Sequence, residues 1–324
     1  MTTHYYSLQS DRETAITASA ELLKQDHVVA FPTETVYGLG ARIFSETAIR
    51  KIYAAKGRPS DNPLIAHIAT IRQVSEIAID IPDEFYRLAE AFFPGALTIV
   101  LKRNPRVPAI VSAGLDTIAV RMPNHPIALA LINAVGEPLV APSANLSGRP
   151  SPTSAQHVLD DLGGRIAAVI DGGPCVVGIE STVLNILTPT PVILRPGAVT
   201  REQLERVLGR EILVHDAASP EVPLAPGMKY RHYAPLARIR LVQSWAEIQA
   251  IPEPADGLRR LILANTRPDF PVHTEVRAVT AATLYGEFRR ADAENFAEIV
   301  ILCDNTVEHD PALMNRIVKA ASKS

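Results

Sequence analysis

Short apolar runs, each stopped by proline, glycine or aspartate, recur along the first two-thirds of the chain and constrain its fold most. Residues 28–31 halt at Pro32, and 96–101, 118–120, 139–141, 167–170, 182–187 and 192–194 are of the same kind. Runs this brief read as buried strands rather than helices. Between them lie segments with helix ends. Ser45 is placed to cap a helix carrying Ile49, Ile52 and Tyr53 on one face, with Gly57 as its stop. Thr153 with Gln156, and Thr200 with Gln203, form capping-box patterns for helices ending at Gly163 and Gly209. Alternating strands and helices predict an α/β fold.

The pattern breaks after residue 210. From His215 to Pro235 the chain carries Pro220, Pro223, Pro226 and Pro235 with little periodicity, which reads as an extended linker. Its segment Pro226-Gly-Met-Lys-Tyr-Arg-His-Tyr-Ala-Pro235 holds more aromatics and cations than a spacer needs. Strand-like 239–242, 261–264 and 299–302 then accompany helix-like 284–290 and 312–321. The expected organisation is a first domain over 1–210, a proline-rich linker over 211–235 and a smaller α/β domain over 236–324, a division that suits 324 residues.

What is missing narrows the chemistry. A net charge of −3 gives no support to an RNA-holding surface. Cys175 and Cys303 are the two cysteines and form no C-x-x-C pair, against a disulfide framework or structural zinc. The N-terminus has no signal-peptide pattern, and no apolar run approaches the ~18 residues of a spanning helix. A reduced, soluble, cytoplasmic protein is expected. There is no G-x-x-x-x-G-K-[ST], the Gly38-Leu-Gly40 pair lacks a third glycine because position 43 is Ile, and no G-x-S-x-G or H-E-x-x-H occurs. Bound phosphates would have to be held by lysine, arginine and hydroxyl side chains.

Polar clusters fall at the ends of the predicted strands, where α/β proteins keep their sites. They are Pro32-Thr-Glu-Thr-Val-Tyr-Gly38, Lys56-Gly-Arg-Pro59 with Asn62 and His67, Thr117 to Arg121, Pro142-Ser-Ala-Asn-Leu-Ser-Gly148, Ser181-Thr182 and Arg195-Pro-Gly197. Lys56 and Arg58 either complement a helix dipole or neutralise phosphate. Arg121, among Ala, Val and Met, needs an anionic partner, either a buried carboxylate of the chain or a substrate carboxylate. His67 among Leu64, Ile65 and Ile68 reads on its own as a core residue. Ser143, Ser147 and Ser151 read as turn and cap residues.

Taken together, Pro32-Thr-Glu-Thr-Val-Tyr-Gly-Leu-Gly40, Lys56-Gly-Arg-Pro59 with Asn62-Pro-Leu64, Pro142-Ser-Ala-Asn-x-Ser-Gly148, Glu180-Ser-Thr-Val183 and Arg195-Pro-Gly197 resemble the YrdC-type threonylcarbamoyl-AMP synthases over residues 10 to 209. The linker, Leu284-Tyr-x-x-Phe-Arg-x-x-Asp292 and Leu313-Met-Asn-Arg316 resemble the longer, two-domain branch. The second domain departs in being short and in carrying Glu308-His-Asp-Pro311 where a glycine-rich segment is common.

The resemblance implies a twisted, open mixed sheet with a deep positive cavity, joined by the linker to the smaller α/β domain. It also implies a nucleotidyltransferase reaction. Threonine and CO2 or bicarbonate give a carbamate, whose oxygen attacks the α-phosphorus of ATP and releases pyrophosphate. Partner proteins, a threonylcarbamoyl-transferase complex, then pass the product to adenosine 37 of tRNAs reading A-starting codons. Lys56 and Arg58 are implied as catalytic and, with Asn62, Thr117, Ser143, Asn145, Ser151, Arg195 and Tyr233, as the ATP site, with Mg2+ arriving through the phosphates. Thr35, His67, Arg121, Ala141 and Ser181 are implied for threonine. Weak or no direct tRNA binding is expected. The alternatives are a carbamoyl-adenylating enzyme of the hydrogenase-maturation type, a non-catalytic RNA-binding module and, more weakly, a generic ATP-dependent ligase.

Overall fold

Ser45 fulfils its expected part: its hydroxyl accepts from the Ala48 amide at 3.2 Å and starts the helix Glu46–Lys56, which Gly57 ends in a left-handed turn at φ 59°. Thr200 and Gln203 likewise form a capping box, and Gly209 ends that helix at φ 70°. Thr153 does not cap. The N-cap of Ala155–Leu162 is Ser154, whose hydroxyl accepts from the His157 amide, while Thr153 Oγ1 lies 3.4 Å from the His157 ring. Two adjacent hydroxyl residues compete for such a position, and the sequence pattern favoured the wrong one.

The computed structural model describes residues 2–7, 11–215, 233–254, 257–268 and 274–322. The chain divides into two units, Met1–Ser147 with Ser151–Tyr230, and Gly148–Pro150 with Arg231–Ser324. Of the linker expected over 211–235, residues 216–232 lie outside the described residues, as does most of its Pro226 to Pro235 segment.

The first unit contains strands β1 (His4–Ser7), β2 (Val29–Phe31), β3 (Gly38–Arg42), β4 (Ile65–His67), β5 (Ala78–Ile79), β6 (Leu97–Arg103), β7 (Thr117–Arg121), β8 (Leu139–Val140), β9 (Ala168–Asp171), β10 (Thr182–Asn185), β11 (Val192–Arg195) and β12 (Leu213–Val214). Its helices are α1 (Arg12–Lys24), α2 (Glu46–Lys56), α3 (Val74–Ile77), α4 (Asp83–Phe92), α5 (Pro126–Val135), α6 (Ala155–Leu162) and α7 (Arg201–Leu208). The strands form one mixed sheet in the order β1-β9-β2-β3-β8-β4-β7-β6-β10-β11-β12, with β5 beside β6. Neighbours β4 and β7 are parallel, as are β6 and β10, whereas β8 with β4 and β6 with β7 are antiparallel.

The two faces of this sheet are unlike. Strand residues directly opposite one another share a face, and so do alternate residues along a strand. Ala66, Ile99, Val120, Val140 and Leu184 point to one face, where they join the large apolar core. On the other face, Val29, Phe31, Leu139, Ala141, Ala168 and Ile170 pack against Leu23 of α1 and Ile127, Leu131 and Ile132 of α5. That apolar cover does not extend over β4, β7, β6 and β10. The register gives the same face of those strands His67, Thr117, Arg121, Thr98 and Ser181, around a small cluster of Val100, Val183 and Leu194.

The second unit is a parallel sheet of β13 (Arg238–Val242), β14 (Arg259–Leu263), β15 (Glu275–Arg277) and β16 (Phe296–Leu302), in the order β13-β16-β14-β15. Its helices are α8 (Trp245–Ala250), α9 (Leu284–Ala293), α10 (Asn305–Glu308) and α11 (Pro311–Ala321). Among the described residues no helix is long and apolar enough to cross a membrane.

Candidate active site

Polar groups gather at the two ends of β4 and β7. At the N-terminal end of β4 and β7, Lys56 closes helix α2 and is buried. Its Nζ donates to the carbonyl oxygens of Ser143 at 2.5 Å and Asn145 at 2.6 Å, and its own carbonyl accepts from the Ser147 amide. The same cation therefore ties the 143–147 turn to the helix end. Arg58 donates through Nη2 to the carbonyls of Asn62 and Pro63, which folds the Lys56-Gly-Arg-Pro turn back on the entry to β4. Asn62 is 1% exposed, yet neither atom of its side-chain amide has a hydrogen-bond partner among the described residues. A buried, unsatisfied amide is costly in isolation and suited to an incoming polar group. Thr117 begins β7 at this end, and Ser143 is bridged to Gly38.

Four residues along β7, roughly 13 Å away, lies Arg121. Its Nη1 donates to Thr35 Oγ1 at 2.8 Å and its Nε to the Gly95 carbonyl at 3.2 Å, while Nη2 lies 2.7 Å from Glu34 Oε1. His67 is opposite Arg121 in the register, and its Nδ1 lies 3.2 Å from the Ile65 carbonyl. Burial, aided by the Arg121 charge, pushes its imidazole down to about 3, so it stays neutral. Ala141, by contrast, is a β8 neighbour whose amide is taken by the Ile65 carbonyl.

Ser181 and Arg195 complete this end. Arg195 clasps the Ser181 carbonyl through Nε at 3.1 Å and Nη2 at 2.9 Å, and the Ser181 hydroxyl shares a 2.7 Å hydrogen bond with Thr98. Ser151 donates to the Glu180 carboxylate. Arg195 and Ser151, both assigned to the nucleotide by resemblance, thus hold on to Ser181 and its neighbour Glu180.

The match to known proteins decides what family this is. The Sua5–YciO–YrdC family model, described as telomere recombination, matches residues 21–197. The chain belongs to that family. A second model, described as threonylcarbamoyl-AMP synthase, C-terminal domain, matches residues 199–322, which makes this a two-domain member. The chain is 46% identical over 333 residues to the threonylcarbamoyl-AMP synthase of Bacillus subtilis, covering 96% of this chain and 94% of that one. It is 49% identical over 253 residues to the threonylcarbamoyl-AMP synthase of Pyrococcus abyssi, covering 77% and 72%. The fold resembles P. abyssi Sua5 complexed with L-threonine at a TM-score of 0.88, with 39% identity over 99% of this chain and 98% of that one.

In this Sua5–YrdC protein, Tyr233 belongs to the second unit. Its ring stacks on Tyr285 at 5.5 Å and lies under the Arg316 guanidinium at 5.4 Å. The Leu284-Tyr and Leu313-Met-Asn-Arg316 motifs therefore build a seat for Tyr233, and Asp292 fixes the nearby chain by accepting from the Leu236 and Ala237 amides. Sequence reasoning quoted Glu34 and Glu180 within motifs but gave them no role. Their pairing with Arg121 and Ser151 appears only when the strands are assembled. Cys175 is buried and its thiol is pushed up to about 12 by that burial, which leaves it un-ionised and a poor nucleophile. A surface cleft around His27, Lys51 and Arg165 shares no residue with this cluster.

Proposed function

We propose that the chain is a threonylcarbamoyl-AMP synthase: it joins L-threonine, CO2 or bicarbonate and ATP into L-threonylcarbamoyladenylate and pyrophosphate. The observation that carries this reading is the gathering of polar groups at the two ends of β4 and β7, with the Lys56, Arg58, Asn62 and Ser143 group at one end and the Arg121, Thr35, His67 and Ser181 group at the other. A nucleotide group and an amino-acid group at the two ends of the same strands suit a reaction that joins the two. The relatives named for this activity support it.

The carbamate is itself a nucleophile, so the protein has to position and neutralise rather than activate a serine or cysteine. Arg58 and Lys56 would place positive charge at the phosphates. Asn62, Ser143, Asn145 and Thr117 would bind the nucleotide beside them, and Arg195 and Ser151 would reach it from the Ser181 side. Mg2+ arriving with the nucleotide would add positive charge beside Lys56 and Arg58; among the described residues no group of three or more His, Cys, Asp or Glu is placed to hold an ion. Arg121 would take the threonine carboxylate, with Thr35, the neutral His67, Ser181 and the backbone at Ala141 around the rest of the amino acid. A dry pocket would protect the labile carbamate and anhydride.

The product would pass to a threonylcarbamoyl-transferase complex acting at adenosine 37 of tRNAs that read A-starting codons, within the cytoplasm and with little direct tRNA binding. The test is pyrophosphate release from the full chain. It should require ATP, threonine and bicarbonate together. Release indifferent to threonine would point to the hydrogenase-maturation type of enzyme, and strong RNA binding without turnover would point to a binding module.

A further inference from the structure

Glu34 carries a buried carboxylate that the site as read so far does not use. The Glu34 and Arg121 side chains are 8% and 4% exposed, and Arg121 Nη2 lies 2.7 Å from Glu34 Oε1. The two are close but poorly aligned. Neither Glu34 oxygen and not Arg121 Nη2 makes a hydrogen bond among the described residues. The other guanidinium nitrogens are committed to Thr35 and Gly95, and the Glu34 backbone is pinned by the Val177 amide at 2.8 Å. Charges taken out of water without aligned hydrogen bonds are expensive to keep.

The pair matches the two ends of an α-amino acid zwitterion. The guanidinium edge suits the α-carboxylate, and the carboxylate left behind suits the α-ammonium. Other groups at this end serve the ammonium less well. His67 is neutral, Thr35 and Ser181 offer hydroxyls already shared with neighbours, and the Glu180 carboxylate already accepts from Ser151.

We propose that Glu34 is the residue that binds the α-ammonium of the substrate amino acid, exchanging its contact with Arg121 for the substrate's own charges. The proposal rests on the reading of this site as a threonine site. It gives specificity for an amino acid over a hydroxy acid of the same shape, because a buried carboxylate repels a ligand that brings only negative charge.

The experiment is calorimetric titration of the full chain with L-threonine and with 2,3-dihydroxybutanoate, which keeps the carboxylate and hydroxyl and lacks the ammonium. Wild type should prefer threonine by about tenfold or more. Glu34→Gln should weaken threonine by about tenfold while the deaminated ligand binds as well as before or better, since Arg121 is released to meet it. Glu34→Asp keeps the charge one methylene short; it should bind threonine more weakly yet still prefer it. Equal losses for both ligands in Glu34→Gln, or unchanged threonine affinity, would overturn the proposal. Should Glu34→Gln fail to fold, loss of the preference in Glu34→Asp would overturn it instead. Wild type that binds no threonine at all would refute the site reading rather than the role of Glu34.

Discussion

The Lys56 ammonium lies 2.5 Å from the Ser143 carbonyl oxygen and 2.6 Å from that of Asn145, so a helix end and the 143–147 turn share one buried cation. Lys56→Met should therefore do two things at once. It leaves both carbonyls short of a donor and should destabilise the first unit by about 2–3 kcal/mol. It should also reduce ATP-dependent pyrophosphate release far more than that loss explains at a temperature where the variant remains folded. Thermal melting beside turnover separates the two effects. Full activity in a folded variant would remove Lys56 from the chemistry.

Asn62 makes the opposite prediction. Its amide already bears the cost of burial without a hydrogen bond, so truncation forfeits no internal partner. Asn62→Ala should shift stability by less than about 1 kcal/mol and raise the KM for ATP by about tenfold. A large fall in the urea midpoint with an unchanged KM would reverse that assignment.

The neutral His67 sets a pH dependence. Its folded value of about 3 lies below the ordinary 6.5, so between these limits the unfolded chain binds a proton that the folded chain refuses. Its contribution to stability is complete above pH 6.5 and falls as the pH drops toward 3, by up to about 1.4 kcal/mol per pH unit. Urea midpoints measured across that window should decline less steeply in His67→Leu than in wild type. Parallel curves would show that His67 is not the titrating group.

Gly197 explains why the turn after β11 reads Arg-Pro-Gly. A Cβ there would lie 2.3 Å from the Thr182 nitrogen and 2.7 Å from the Glu180 carbonyl oxygen. Gly197→Ala should push the 180–182 backbone away, cost about 2–3 kcal/mol and raise the KM for threonine through Ser181. A variant that melts like wild type and keeps its KM would show that the strand ends can part without harm.

Much of the sheet was legible because β2, β6, β7, β9, β10 and β11 are apolar runs that stop at turn residues. Strand β3 was not, because Gly38-Leu-Gly-Ala-Arg42 has no such run. Gly40 is there for close approach: a Cβ would come within 2.7 Å of the Phe31 ring. The cationic half of the site was readable from Arg121 and from Lys56-Gly-Arg-Pro59, since a charge in an apolar strand or a tight turn demands a reason. The acidic half was hidden. Glu34 lies in a polar stretch where a carboxylate looks solvated, and its burial depends on a strand more than eighty residues away along the chain.

Because oily and reactive side chains alternate along the same few strands, the whole arrangement depends on phase. Slipping β7 by a single position would turn Val120 toward the polar face beside His67 and thrust Arg121 into the hydrocarbon interior. Inserting or deleting one residue between 117 and 121 should thus be lethal to folding and chemistry alike, whereas many individual replacements there would injure one and spare the other.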